Sequence, residues 1–241
     1  MTDFLTIRKG GSIKNKIWIL AALALGLGIF PIRAQVTKSR QAATSPESVL
    51  AGLMQGNARF VANQTTPKNL PSRREVSAKG QFPLAVILSC MDSRVVPESI
   101  FDQSLGDVFV GRVAGNVEDR DQLGSMEFAT QLAGAKLVMV LGHTSCGVVK
   151  GACNPVRMGH LTGILKKIRP SVKAVRRDSP DLPPSASNLR FVNKVAEENS
   201  RQVLQNIRRG SPILAGLEKS GQIKMVSAMY DLETGRVTLV D

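Results

Sequence analysis

The sequence predicts an α/β fold: a predominantly parallel central β-sheet with flanking helices and a C-terminal antiparallel edge strand. Three observations carry this expectation. Residues 84–88, 108–110 and 137–141 are uninterrupted apolar runs of strand length, as strands buried on both faces are. The segments between them carry helical signals, so strand and helix alternate, which favours right-handed crossovers into a parallel sheet. Finally, residues 223–230 and 236–240 read as two strands separated by a turn containing Gly235, which supplies the last edge strand or hairpin.

At 241 residues the chain can bury a substantial core, and the simplest division has three parts. Residues 1–34 read as an export signal peptide: Arg8, Lys9, Lys14 and Lys16 precede an apolar run over 17–30. That run is shorter than the roughly 20 apolar residues of a bilayer span. Cleavage is expected soon after Ala34, in a periplasmic or otherwise exported protein. Arg33 makes the cleavage box imperfect, which leaves an uncleaved signal anchor, and with it membrane contact, as the alternative. Residues 35–44 are polar without a sustained period and read as a tether. Residues 45–241 then form one catalytic domain.

Within that domain Ser45 caps a helix whose first turn holds Pro46, where the missing amide donor is harmless. Val49, Leu50, Leu53, Met54 and Phe60 carry this helix to about Asn63, with Gly52 and Gly56 weakening it. Residues 64–81 read as an extended wrapping segment. After the first strand, Pro97 opens a short helix, and Gly106-Asp107 turns the chain into the second strand. Residues 112–116 form a glycine-containing loop without the spacing of a dinucleotide or P-loop fingerprint. Met126, Phe128, Ala129, Leu132 and Ala133 predict a helix stopped by Gly134, and the third strand follows. Beyond Cys146 a helix through Leu161, Ile164, Leu165, Ile168 and Val172 is expected to break or kink at Pro170. A proline-rich connector over 178–187 leads to a long helix ending near Gly210, and Ser211-Pro212 starts a short helical turn.

Two short motifs sit directly after the first and third strands: Cys90-Met91-Asp92-Ser93-Arg94 and His143-Thr144-Ser145-Cys146-Gly147. Loops at the C-terminal ends of parallel strands are where open α/β sheets place ligands. Two thiolates and one imidazole suit zinc and leave a fourth position for an exchangeable oxygen ligand, the pattern of a catalytic site. A buried core cysteine beside ordinary loop residues is the competing reading of the same motifs. Three cysteines are too few for a disulfide scaffold, and Cys153 is then the spare, with a buried free thiol as its simplest role.

The formal net charge of +13 permits attraction to anionic surfaces, but the basic residues are dispersed. Aromatic-interleaved basic motifs are missing, so no specific nucleic-acid partner is expected. His160 is the other histidine, and its position in the sequence gives it no catalytic assignment.

The two motifs together resemble those of the β-class carbonic anhydrases. The similarity extends through Gly56-Asn57-Ala58-Arg59-Phe60, Pro97-Glu98, Gly106-Asp107-Val108-Phe109-Val110, Ala114-Gly115-Asn116, Gly124-Ser125-Met126-Glu127-Phe128-Ala129, Tyr230-Asp231 and Thr234-Gly235, and so covers most of the chain after Pro46. Met91 and Val113 replace residues that are often polar in related motifs. The resemblance implies an enzyme that hydrates carbon dioxide reversibly to bicarbonate and a proton. It implies one catalytic Zn²⁺ per subunit, with Cys90, His143 and Cys146 as ligands and Asp92 and Arg94 as the catalytic pair beside it. Asp92 would orient the attacking oxygen while Arg94 holds Asp92 through a forked interaction. In a closed form Asp92 would itself become the fourth metal ligand. A homodimer or dimer-based higher oligomer is implied as well. Hydrolysis of carbonyl sulfide or carbon disulfide, and a non-enzymatic bicarbonate-sensitive zinc module, are the alternatives that the same residues admit.

Overall fold

The structure is a computed structural model that describes residues 35–154 and 156–240. The expected export segment lies outside the described residues. Among the described residues, no helix is long and apolar enough to cross a membrane.

Five strands form one sheet in the order β2-β1-β3-β4-β5, with β1 Ala85–Ser89, β2 Val108–Arg112, β3 Leu137–His143, β4 Lys224–Tyr230 and β5 Val237–Leu239. The first four are parallel and β5 pairs antiparallel with β4, as the sequence predicts. Every residue of β1 and β3 is buried, because both faces of the sheet are covered. Alternation then divides the side chains. Ala85, Ile87, Leu137, Met139 and Leu141 pack with Val49 and Leu53 of α2 (Pro46–Val61). Val86, Leu88, Val138 and Val140 face Met126 of α5 (Arg120–Glu127), and Val203, Leu204 and Ile207 of α8 (Leu189–Gly210). On the same side as α8 lie α6 (Gly147–Cys153) and α7 (Leu161–Asp178), which enclose the cysteines.

The remaining α-helices among the described residues are α1 (Lys38–Ala43), α3 (Leu70–Ser77), α4 (Pro97–Ile100) and α9 (Pro212–Lys219). Two of them correct the sequence reading. Residues expected to be a tether contain α1, capped by Thr37, and Gln41 is buried there. Its Nε2 donates to the carbonyls of Pro83 (2.7 Å) and Ala133 (2.9 Å), so the segment is fastened to the body of the fold. Residues expected to be extended contain α3, capped by Asn69, whose Arg73 reaches the buried Asp107 at 2.9 Å. Neither short helix has a strong apolar period; each is held by one polar side chain. A third correction concerns Pro170, which lies inside an unbroken α7. Pro170 is exposed, so the carbonyl that it leaves without a helical donor can be hydrated. The helix predicted around Met126 is present, and its last turn, Phe128–Leu132, widens into a π-helix before Gly134, at φ 79°, ends it.

Gly56 is needed for close approach rather than for flexibility. A Cβ at that position would lie 1.9 Å from the backbone oxygen of Phe101. Gly56→Ala is therefore expected to lower stability by about 3 kcal/mol through overpacking against backbone that cannot yield. Gly52→Ala, which meets nothing within 4 Å, should be neutral or stabilising by up to about 1 kcal/mol from helix propensity. Paired thermal denaturation curves check both; equal midpoints for the two variants would contradict the close packing of α2 on Phe101.

Asp102 anchors the chain beyond α4. Its fully buried carboxylate accepts from Arg59 Nε at 2.7 Å and from the amide and hydroxyl of Thr66. Burial alone would raise its pKa, but the bonds from Arg59 and Thr66 outweigh that and hold it below the usual carboxylate value. A depressed folded-state pKa means stability present above about pH 4 and lost as pH falls through the folded value. Asp102 has φ 51°, which asparagine tolerates, so Asp102→Asn tests the charge without adding backbone strain. The variant is expected to be less stable by about 2 kcal/mol at pH 7, less than for a fully buried pair because Arg59 can turn to water. The gap should narrow below pH 4 in urea titrations, and a gap independent of pH would refute the charge argument.

Candidate metal centre

The site is built where the sheet changes direction. β2 lies on one side of β1 and β3 on the other, so the chains leaving β1 and β3 diverge and open a crevice at their C-terminal ends. Cys90 is the first residue after β1, His143 is the last of β3, and Cys146 caps α6. In-register pairing of Ser89 with Leu141 brings the two loops level. The ligating atoms of Cys90, His143 and Cys146 all lie within 4.8 Å of one another, and all three residues are buried. Sequence separation thus disappears through strand adjacency.

The donor set fits a metal ion on independent grounds. His143 Nδ1 lies 2.9 Å from the carbonyl oxygen of Thr144. A carbonyl can only accept, so Nδ1 carries the proton and Nε2 presents its lone pair to the cluster. Nε2 is buried without a hydrogen-bond partner, and a metal ion would satisfy it. Between the two cysteines, the hydrogen bond from Cys146 pulls the Cys90 thiol down to about 4. The same bond, together with burial, drives Cys146 upward. The Gly115 amide also donates to Cys90 Sγ at 3.4 Å. These contacts therefore favour the thiolate at Cys90, with the Cys146 thiol as its donor.

Asp92 and Arg94 stand together, as expected. Arg94 Nε donates to Asp92 Oδ1 at 2.9 Å and Nη2 to Oδ2 at 2.8 Å, a forked pair; the Arg94 amide adds a third bond at 3.0 Å. The Arg94 side-chain bonds come first in holding the Asp92 carboxyl well below the usual range, against a smaller opposing effect of burial. Asp92 Oδ2 is 3.9 Å from His143 Nε2, so the carboxylate borders the cluster while Arg94 occupies both its oxygens.

Several supporting residues escaped the sequence reading. Arg112, assigned to a loop, ends β2 and donates to the carbonyls of Asp92 (2.7 Å) and Met91 (3.3 Å), bracing the Cys90 loop from the neighbouring strand. Ser145 adopts φ 56°, and its amide donates to Asn193 Oδ1 at 2.8 Å. Asn199 Nδ2 donates to the Gly115 carbonyl at 3.0 Å. The polar interruptions Asn199 and Ser200 on the otherwise apolar buried face of α8 were the available signal. Cys153 is buried near the cluster but outside it, and His160 lies exposed at the start of α7, outside the cluster as well.

The carbonic anhydrase family model matches residues 85–237, which include both cysteine-bearing loops, the four parallel strands and the first residue of β5. Among solved structures, the β-carbonic anhydrase CafA of Aspergillus fumigatus superposes with a TM-score of 0.63 at 26% identity, over 81% of this chain and 90% of that one. The chain belongs to the β-class carbonic anhydrase family. Carbonic anhydrase 2 of Mycobacterium tuberculosis is 36% identical over 204 residues, covering 82% of this chain and 94% of that protein. A carbonic anhydrase of Mycolicibacterium smegmatis is 34% identical over 202 residues, with 81% and 94% covered. A Sordaria macrospora β-carbonic anhydrase described as tetrameric shares the fold, with a TM-score of 0.65 at 22% identity over 80% and 96% of the two chains. In this β-class carbonic anhydrase the Cys-His-Cys cluster is a single zinc site per subunit.

Proposed function

We propose that this chain catalyses the zinc-dependent, reversible hydration of carbon dioxide to bicarbonate and a proton, with Cys90, His143 and Cys146 as the metal ligands. The observation that carries the reading is the convergence of these three donors beside the forked Asp92–Arg94 pair. Zinc held there supplies Lewis acidity that makes water nucleophilic near neutral pH. The protein supplies the rest. Cys90 and Cys146 would hold the ion as thiolates, the Cys146 proton leaving as the ion binds, and the Thr144 carbonyl fixes the His143 tautomer.

Asp92 is kept ionised by Arg94 and is therefore an acceptor only. Placed at the rim of the cluster, it takes a hydrogen bond from the attacking oxygen and turns a lone pair toward the carbon of CO₂. Arg94 keeps the carboxylate from moving inward. The forked Asp92–Arg94 pair supports the open form, since ligation by Asp92 would require both forked bonds to break or turn. A stopped-flow hydration assay on the zinc-loaded chain, with a chelator-treated control, tests the proposal. Turnover of carbonyl sulfide without hydration of CO₂, or anion binding without turnover, would overturn it.

The same reading includes export, supported by the basic flank and apolar run of residues 8–30, and intact mass after secretion is the test. It also includes a homodimer or a dimer-based assembly. β2 is an edge strand of the sheet, and Phe128 beside it is half exposed, as a self-associating face would be. Sedimentation that gives only monomer at micromolar concentration would remove that part.

A further inference from the structure

A second concave surface lies behind the His143–Cys146 loop. It has a volume of about 490 Å³, within the range of small-molecule sites. One wall is the first half of α8, with Arg190, Asn193 and Lys194; the other is the β4–β5 connection, with Asp231, Thr234 and Arg236. Thr144 and Met229 also line it.

Its charge is unbalanced. Arg190 and Arg236 form no ion pair among the described residues, and Lys194 has only the Ser179 hydroxyl at 3.2 Å. Two carboxylates border the groove, and Glu197 is ion-paired while Asp231 keeps its charge under bonds from neutral donors. Asp231 accepts from the Glu233 and Thr234 amides and the Thr234 hydroxyl, and Glu197 pairs with Arg201. Three cations on two facing walls outnumber the one lining carboxylate without a cationic partner, Asp231, and this net positive groove suits a phosphate group, which takes several charge-assisted bonds and favours arginine.

The groove also touches the metal loop. Asn193 accepts from the Ser145 amide, and Thr144 Oγ1 accepts from the Leu232 amide at 3.0 Å. Both residues line the groove while holding the two positions between His143 and Cys146. We infer that this groove binds a phosphate-bearing small molecule between Arg190, Lys194 and Arg236, and that its occupancy tightens the His143–Cys146 loop. The coupling rests on the metal-centre reading above; the binding itself does not.

The test uses inorganic phosphate and phenyl phosphate on the zinc-loaded full chain, followed by calorimetry and by the rate of zinc release to a chelator. Saturable binding is expected, weakened at least about tenfold in an Arg190→Gln/Arg236→Gln double variant, the loss of about 1.4 kcal/mol that one charged contact carries. Unfolding midpoint and basal hydration of that exposed double variant should match the parent. Saturating phenyl phosphate should slow zinc release at least about threefold in the parent and leave it unchanged in the double variant, a free-energy difference of about 0.65 kcal/mol. Absence of saturable binding, or equal affinity in parent and double variant, would overturn the site, the latter by placing the anion at the metal. Binding that is lost in the double variant with a release rate indifferent to phosphate would overturn the coupling. Because binding and metal release are read without turnover, an inactive chain leaves both results interpretable.

Discussion

Replacing Cys90 with serine is expected to strip zinc from the protein and lower CO₂ hydration by at least about 10³-fold, equivalent to about 4 kcal/mol of transition-state stabilisation. A serine hydroxyl stays protonated where a thiol ionises, so the buried cluster loses a negative charge as well as a soft donor. The hydrogen bond from the Gly115 amide and the contact with Cys146 favour a sulfur anion at this position, and an oxygen acid of much higher pKa cannot exploit them. The fold should persist, because the volume change is small and β1 is held by its neighbours on both sides. Metal content by elemental analysis, hydration rate and circular dichroism on one preparation separate the outcomes. Full zinc occupancy with parental activity would remove Cys90 from the ligand set.

Asp92→Asn should retain zinc yet lose about 10²–10³-fold in hydration, because an amide can accept through one atom only and no longer draws the Arg94 fork into place. Arg94→Ala is the more discriminating partner. It releases both Asp92 oxygens, which already border His143 Nε2 at 3.9 Å. The freed carboxylate is then drawn to the cation, so activity should fall by about 10²-fold while zinc release to a chelator becomes slower than in the parent. Slow release coupled to low activity is the mark of Asp92 acting as a ligand. Faster release in Arg94→Ala would show that Arg94 stabilises the site by another route.

The parallel sheet and the metal motifs were legible for the same reason. Strands covered on both faces admit almost no polar residue, so β1 and β3 stand out as apolar runs, and anything reactive directly after them lies at the sheet's C-terminal rim. The short helices were not legible, because α1 and α3 depend on Gln41 and Arg73 finding partners far away in sequence. Pro170 misled for a local reason: the rule that proline breaks helices weakens where the freed carbonyl faces solvent. Arg112 and Asn193 support the site only through tertiary contacts to backbone groups of other elements, which no spacing pattern encodes. Arg94, by contrast, was visible because its partner is two residues away.

The level pairing of Ser89 with Leu141 has a consequence for how the metal arrives. Hydrogen-bonded strands set the separation between the ends of β1 and β3 from which Cys90 and His143 depart, so the frame of the cluster belongs to the sheet. Metal loading is then an event at the C-terminal rim of the sheet, and not a step in building the sheet itself. Its speed should follow the opening of a path to buried sulfur, and its reversal should leave the sheet intact.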